Sequence, residues 1–263
     1  MVIGAIRNLF GRKSRPVQAD NRRERLALHS KTTPTIYAIG DVHGCYDQLI
    51  DAQRRILADA AKHKPGRRLI VMLGDYVDRG PRSADVIEHL ALPPPEGFLR
   101  ISLCGNHDDS FLKFIANPME NMEWLEFGGD TTLESYGIDV VRLLRHNMGL
   151  RSLAGLVSEA VPAHHVALLK RLPVAVSLGD YIFAHAGIRP GLPVDNQSEE
   201  DLMWIREPFL SQGSGLPQTV VHGHTAAKEP VFGKNRICID TGAYATGRLT
   251  VLKVHGEERQ ILD

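Results

Sequence analysis

Cysteine is scarce in this 263-residue chain: Cys45, Cys104 and Cys238 are all it has. An odd, low count argues against a disulfide framework. It suits a reducing compartment, so a cytoplasmic location is expected. An excess of one charge is also missing, since 31 Lys and Arg balance 31 Asp and Glu. A dedicated nucleic-acid binder draws its affinity from excess positive charge, so no nucleic-acid partner is expected. Balanced charge with 43% hydrophobic residues argues equally against a disordered or acidic-tail protein. Aromatic residues make up only 6%, few for an exonuclease groove that stacks bases on rings. No apolar run approaches the roughly 20 residues that cross a bilayer, so no transmembrane segment is expected.

The first 31 residues stand apart. Eight Arg and Lys face only Asp20 and Glu24 there, which reads as a basic tail, possessing either no fixed structure or a surface helix. Val2, Ile3, Ile6, Leu9 and Phe10 allow a short amphipathic helix that touches a membrane or partner. The apolar part is short and broken by Arg7, which does not fit a secretory signal. Residues 32–263 then read as one domain.

From Thr35 a regular rhythm sets in. Thr35–Ile39, Arg68–Leu73 and Phe98–Leu103 are short apolar or β-rich runs. Helical spacing follows each, from Cys45 to about Lys62, over Ser83–Leu90 and over Asp109–Ala116. Asp41 and Asp75 lie 34 residues apart and Asp75 and Asn106 lie 31 apart, the length of one βαβ unit. The polar clusters after these strands therefore leave the same edge of a parallel sheet, where ligands bind in α/β folds. Residues of about 117–172 are mostly helical in pattern and read as a cap or insert, with a loop at Gly128-Gly129. After Pro173 the chain turns β-rich. Val174–Leu178 and Tyr181–Ala184 read as a hairpin, and Thr219–Val221, Arg236–Ile239 and Arg248–Val254 read as strands of a second sheet packed on the first.

Five polar clusters close these strands: Gly40-Asp41-Val42-His43-Gly44, Gly74-Asp75-Tyr76-Val77-Asp78-Arg79-Gly80, Gly105-Asn106-His107-Asp108, His185-Ala186-Gly187 and His222-Gly223-His224-Thr225. Carboxylate, imidazole and amide are the donors that hard and borderline divalent cations choose. Any one cluster is more simply a turn or a satisfied core histidine. Five of them at strand ends in topological order are not, because so many buried carboxylates and imidazoles would cost stability without a compensating cation.

Together GDVHG, GDYVDRG, GNHD, HAG and HGHT resemble the PPP family of metal-dependent phosphoesterases, over about Ile36 to Gly247. The resemblance implies an α/β (α+β) fold of the calcineurin-like type, a β-sandwich flanked by helices (αββα) with the helical insert. It also implies two divalent ions, manganese first, with iron, zinc or magnesium tolerated. Asp41, His43 and Asp75 would hold one ion. Asp75, Asn106, His185 and His224 would hold the other. A hydroxide bridging the ions would attack phosphorus, with His107 as general acid oriented by Asp78. Arg79 and Arg206 would grip the phosphate together with Asn106, and His222 takes a supporting or structural place. Cys45 and Cys104 read as core packing.

The chain departs from eukaryotic members, with Asp108 in place of Glu, His185-Ala186-Gly187 in place of His-Gly-Gly, and Ile239-Asp240-Thr241-Gly242-Ala243 after the last ligand, a bacterial look. The expected function is a phosphomonoesterase acting on phosphoserine or phosphothreonine in proteins, or on a small phosphoester, as a monomer. Asp78 favours that reading. The alternative is a symmetrical diadenosine tetraphosphate hydrolase, which the first and third motifs also resemble. A non-catalytic metal- or phosphate-binding protein would show a missing ligand, and none is missing.

Overall fold

A computed structural model describes residues 22–145 and 150–262. The amphipathic pattern over residues 2–10 lies outside them. Two sheets face one another. The first has the order β11-β10-β2-β3-β4, built from β2 (Thr35–Ile39), β3 (Arg68–Met72), β4 (Phe98–Ser102), β10 (Val251–His255) and β11 (Glu258–Leu262). In it β2, β3 and β4 run parallel, in register Ile39↔Met72↔Ser102. That places the three motifs that follow them side by side, as the spacing predicts.

The second sheet has the order β1-β5-β6-β7-β9-β8. Its strands are β1 (Arg25–Leu28), β5 (Ala175–Leu178), β6 (Tyr181–Ala184), β7 (Thr219–His222), β8 (Val231–Gly233) and β9 (Arg236–Cys238). The hairpin β5–β6 is antiparallel, while β6, β7 and β9 are parallel, so the HAG and HGHT loops also leave one edge together.

Alternation along each strand explains the layering. Ile36, Ala38, Leu69 and Val71 meet Val176, Phe183, Val221 and Ile237 between the sheets. Tyr37, Ile39, Ile70 and Met72 point the other way into a larger core. There they meet the helices α1 (Tyr46–Ala60), α2 (Ser83–Ala91) and α3 (Asn106–Ala116). Each fully buried Leu, Ile or Val contributes about 1.5–3 kcal/mol, so both faces of β3 hold the fold together. The stretch from Pro118 contains two 3₁₀ turns and then α4 (Gly129–Ser135), α5 (Val140–Arg145), α6 (Leu150–Ala160) and α7 (Ala163–Lys170). Trp124, Leu133 and Val157 of this stretch belong to the same buried core as Tyr37 and Phe111. Two short helices, α8 (Glu199–Trp204) and α9 (Phe209–Gln212), place Leu202 and Phe209 in that core with Ile182 and Val220. Among the described residues no helix is long and apolar enough to cross a membrane.

One expectation is corrected here. The basic tail does not extend to residue 31, because Arg25–Leu28 is an edge strand paired in parallel with β5, with Leu26 and Leu28 buried between the sheets. Arg23 ties the same segment down, donating to the Leu169 carbonyl at 2.8 Å and to Asp109 at 3.1 Å. The third helix also begins earlier than its apolar spacing predicts, at Asn106 rather than Asp109. Its first turn therefore carries three motif residues, Asn106, His107 and Asp108.

Candidate metal centre

The five loops converge on Asp75, which lies just after β3. Its Oδ2 lies 3.5 Å from His43 Nε2, 3.4 Å from His185 Nε2 and 4.0 Å from His107 Nε2. Its Oδ1 accepts from the His107 backbone N–H at 3.0 Å, at the start of α3. Two groups of donors share this carboxylate: His43, Asp75 and His107, and Asp75, His185 and His224, each within 4.8 Å. Asn106 Oδ1 stands 2.8 Å from both His185 Nε2 and His224 Nδ1. Asp41 sits beside these groups, accepting from the His224 backbone N–H at 2.8 Å. The structure thus gathers Asp41, His43, Asp75, Asn106, His185 and His224 in one place. It also draws His107 into the first group, a closeness the motifs do not reveal. His222 is buried but turned away, its Nδ1 on the Gly223 carbonyl and its ring against Phe209.

Local backbone holds this arrangement under strain. His43, Asp75, Asp78, Arg79 and His224 have φ of 44°, 50°, 72°, 68° and 65°, in the left-handed region that side chains avoid. Such residues cost about 1–3 kcal/mol each and persist where the surroundings over-determine them, most often at functional sites. Two glycines are required by close approach: a Cβ on Gly105 would collide with Asp75 Oδ1, and one on Gly223 with Asp41 Oδ1.

The residues fit divalent cations. Asp41 Oδ1 and His224 Nε2 are buried with no hydrogen-bond partner, an arrangement that is expensive unless something else binds them. His43 Nδ1 donates to the Val77 carbonyl at 2.8 Å and His185 Nδ1 to the Leu73 carbonyl at 3.0 Å. Both rings are thereby oriented with Nε2 toward the carboxylate, as metal-binding imidazoles are. Burial holds His43 and His224 down to about 3, so both are neutral at pH 7, the form that ligates. Burial and the neighbouring Asp240 push Asp41 well above the usual carboxylate range. Burial disfavours a charged His185, yet Asp75 and Asp41 raise it to about 10. The negative field that keeps a proton there would hold a cation in its place.

Beside the cluster, His107 Nδ1 lies 2.6 Å from Asp78 Oδ2. Burial opposes a proton on His107, but Asp75 and Asp78 outweigh it and raise its pKa. Asp78 is wholly buried and also accepts from Trp124 Nε1 and Thr132 Oγ1, both at 2.8 Å. The guanidinium of Arg79 reaches His43 Nε2 and His107 Nε2, each at 3.1 Å, and lies 4.7 Å over the Tyr244 ring. A cleft of about 170 Å³ opens over these groups, lined by Asp75, Arg79, Asn106, His107, Ser110, Trp124, Phe127, Trp204, Arg206 and His224. Arg206 therefore lines the site beside Arg79. Trp124, Thr132, Phe127, Trp204, Asp240 and Tyr244 are site neighbours that motif reading misses. Asp108 has a structural task, accepting from the backbone N–H of Tyr76 at 2.8 Å and of Gly105 at 2.9 Å, which locks the second and third motif loops together.

The profile of the calcineurin-like phosphoesterases matches residues 34–247, most of the chain and all five clusters. The chain belongs to this family. Membership makes the phosphoesterase a metal-dependent hydrolase and implies divalent ions at the cluster just described. Bis(5′-nucleosyl)-tetraphosphatase PrpE of the asymmetrical type from Bacillus cereus strain Q1 is 27% identical over 234 residues, 82% of this chain and 88% of that protein. Its Bacillus subtilis strain 168 counterpart is 29% identical, over 81% and 87%. Among solved structures, one described provisionally as a diadenosine tetraphosphatase superposes with a TM-score of 0.61 at 24% identity, covering 91% of this chain and 97% of that one. A Saccharomyces cerevisiae protein serine/threonine phosphatase gives 0.56 at 16%, covering 92% and 83%. At these identities the structures show that the phosphoesterase shares their fold, and no more.

Proposed function

We propose that the phosphoesterase is a dinuclear-metal hydrolase of dinucleoside tetraphosphates, cutting them into unequal products. Asp41, His43 and Asp75 would hold one ion, and Asp75, Asn106, His185 and His224 the other. The bound pair supplies Lewis-acid charge and an activated water. Arg79 and Arg206 take charge on the phosphate chain. His107, backed by Asp78, donates a proton to the leaving oxygen. Water is added across one P–O–P link: its oxygen ends on the attacked phosphorus, and the leaving oxygen departs protonated. Unequal cutting yields a nucleoside triphosphate and a nucleoside monophosphate.

The observation that carries this reading is the cleft's rim. Phe127 is 55% exposed and Trp204 is 41% exposed, at the mouth of a pocket floored by histidines and flanked by two arginines. Exposed rings beside a phosphate-binding floor suit a nucleobase, since stacking is worth about 1–3 kcal/mol per base. The Bacillus relatives bear the name of that activity.

A second reading is a protein serine/threonine phosphatase. The 2.6 Å His107–Asp78 contact favours it, because an alkoxide leaving group depends on a strong acid more than a nucleotide does. A side-by-side assay of a dinucleoside tetraphosphate and a phosphoserine peptide with Mn²⁺ decides. Nucleoside tri- and monophosphate appearing together supports the first reading. Turnover of the peptide alone rejects it in favour of the second.

A further inference from the structure

A second donor cluster lies outside the hydrolytic site. Glu88 is on α2, while His164 and His165 are in the first turn of α7. Both Nε2 atoms converge on one oxygen, Glu88 Oε2, at 2.7 Å and 2.8 Å. The three donors lie within 4.8 Å of one another. His165 is buried, and its other ring nitrogen meets the Tyr136 hydroxyl at 2.8 Å. Glu88 and His164 are exposed.

We propose that Glu88, His164 and His165 form a binding site for a zinc-class divalent ion, with solvent as the remaining ligand. Two imidazoles and a carboxylate with an open fourth position are a zinc-type donor set. Tetrahedral donors around zinc stand about 3.4 Å apart, so the present 2.7 and 2.8 Å contacts need to open by roughly 0.6–0.7 Å. Exposed Glu88 and His164 can supply that movement while buried His165 stays fixed. To ligate through Nε2, His165 carries its proton on Nδ1 and donates it to Tyr136 Oη, the outer hydrogen bond that orients metal-bound histidines. The ion would fasten α7 to α2. That helix begins at Ser83, whose Oγ accepts from the Asp78 backbone N–H at 3.2 Å, and the helical stretch that contains α7 also supplies Trp124 and Thr132 to Asp78.

The test uses the full chain already loaded with Mn²⁺. Wild type, His164→Ala and Glu88→Gln are equilibrated with Zn²⁺ and desalted. Metals are counted by mass spectrometry, and thermal melts are recorded across the same zinc series. Zinc entering the hydrolytic centre is common to all three and cancels. The expected result is about one more zinc per chain in wild type than in either variant, and a zinc-dependent rise in Tm that both variants lack. Hydrolysis without added zinc stays the same in all three. Equal zinc uptake and equal Tm response would overturn the proposal and leave the cluster as a bridge between two helices.

Discussion

Replacing Asp78 by Asn tests how the buried dyad works. Asp78 Oδ2 accepts from His107 and Trp124, and Oδ1 accepts from Thr132. An asparagine of the same shape can keep its oxygen on the first pair. Its amide group then faces Thr132, whose hydroxyl can accept from it and donate instead to Ser83 Oγ, 3.1 Å away. The fold and the Trp124 contact survive, and what disappears is the negative charge against a protonated His107. A hydrogen bond to a charged group is worth about 1.5–3 kcal/mol. At about 1.4 kcal/mol per factor of ten, that predicts a kcat loss of ~10- to 150-fold where leaving-group protonation limits the rate. The loss depends on the leaving group. It should be full on a phosphoserine peptide and no more than about fivefold on p-nitrophenyl phosphate, whose activated phenolate departs with little help. Steady-state kinetics on both substrates, with circular dichroism and metal content as controls, provide the readout. An equal loss on both, with metals retained, would refute the assignment of His107 and Asp78 as proton donor and its support.

Three further outcomes are expected. Trp204→Ala should raise KM for a dinucleoside tetraphosphate by roughly 5- to 150-fold, the worth of one stacked base, and leave p-nitrophenyl phosphate within about twofold; parallel changes on both substrates would show that the ring merely supports His224. A Cβ on Gly105 would meet the backbone nitrogen of Asp75 as well as its Oδ1, so Gly105→Ala should displace the Asp75 loop and lower both Tm and metal content; full metal content in the variant would count against the cradle. Lys253 pairs with Asp59 at 2.7 Å, and Tyr37 donates to the same carboxylate. Burial raises the Asp59 pKa, but Lys253 and Tyr37 outweigh it and hold the group below its ordinary value. A depressed carboxylate stabilises the fold above its unfolded pKa, and this contribution is lost as the pH falls through the folded value. Lys253→Met should therefore cost about 1–2 kcal/mol at pH 7, with the gap to wild type closing toward pH 3 in urea melts; a gap independent of pH would contradict this.

The motifs were legible because each closes a strand whose apolar run is continuous, and because parallel strands force successive loops to one edge. The residues that finish the site were not. Trp124 and Thr132 lie 46 and 54 positions from Asp78, and nothing local marks them as its partners. Asp240 stood out only as a departure after the last ligand, since its role comes from the field it adds beside Asp41. By sequence alone strand β1 reads as tail, because Leu26 and Leu28 alternate over only four residues amid arginines, and pairing with β5, about 150 positions away, makes it a strand. The edge strands β8 and β11 bury little: every residue of β8 is exposed, and in β11 Glu258, Arg259 and Gln260 are exposed while Leu262 is buried.

In the proposed centre one carboxylate, Asp75, is shared by two cations. Wild type and Asp75→Asn, stripped with chelator, reloaded with Mn²⁺ and desalted, can be compared directly for metal per chain and turnover. A difference of about two ions with loss of activity is the predicted result. An Asp75→Asn protein that keeps its full metal complement and its rate would contradict the account.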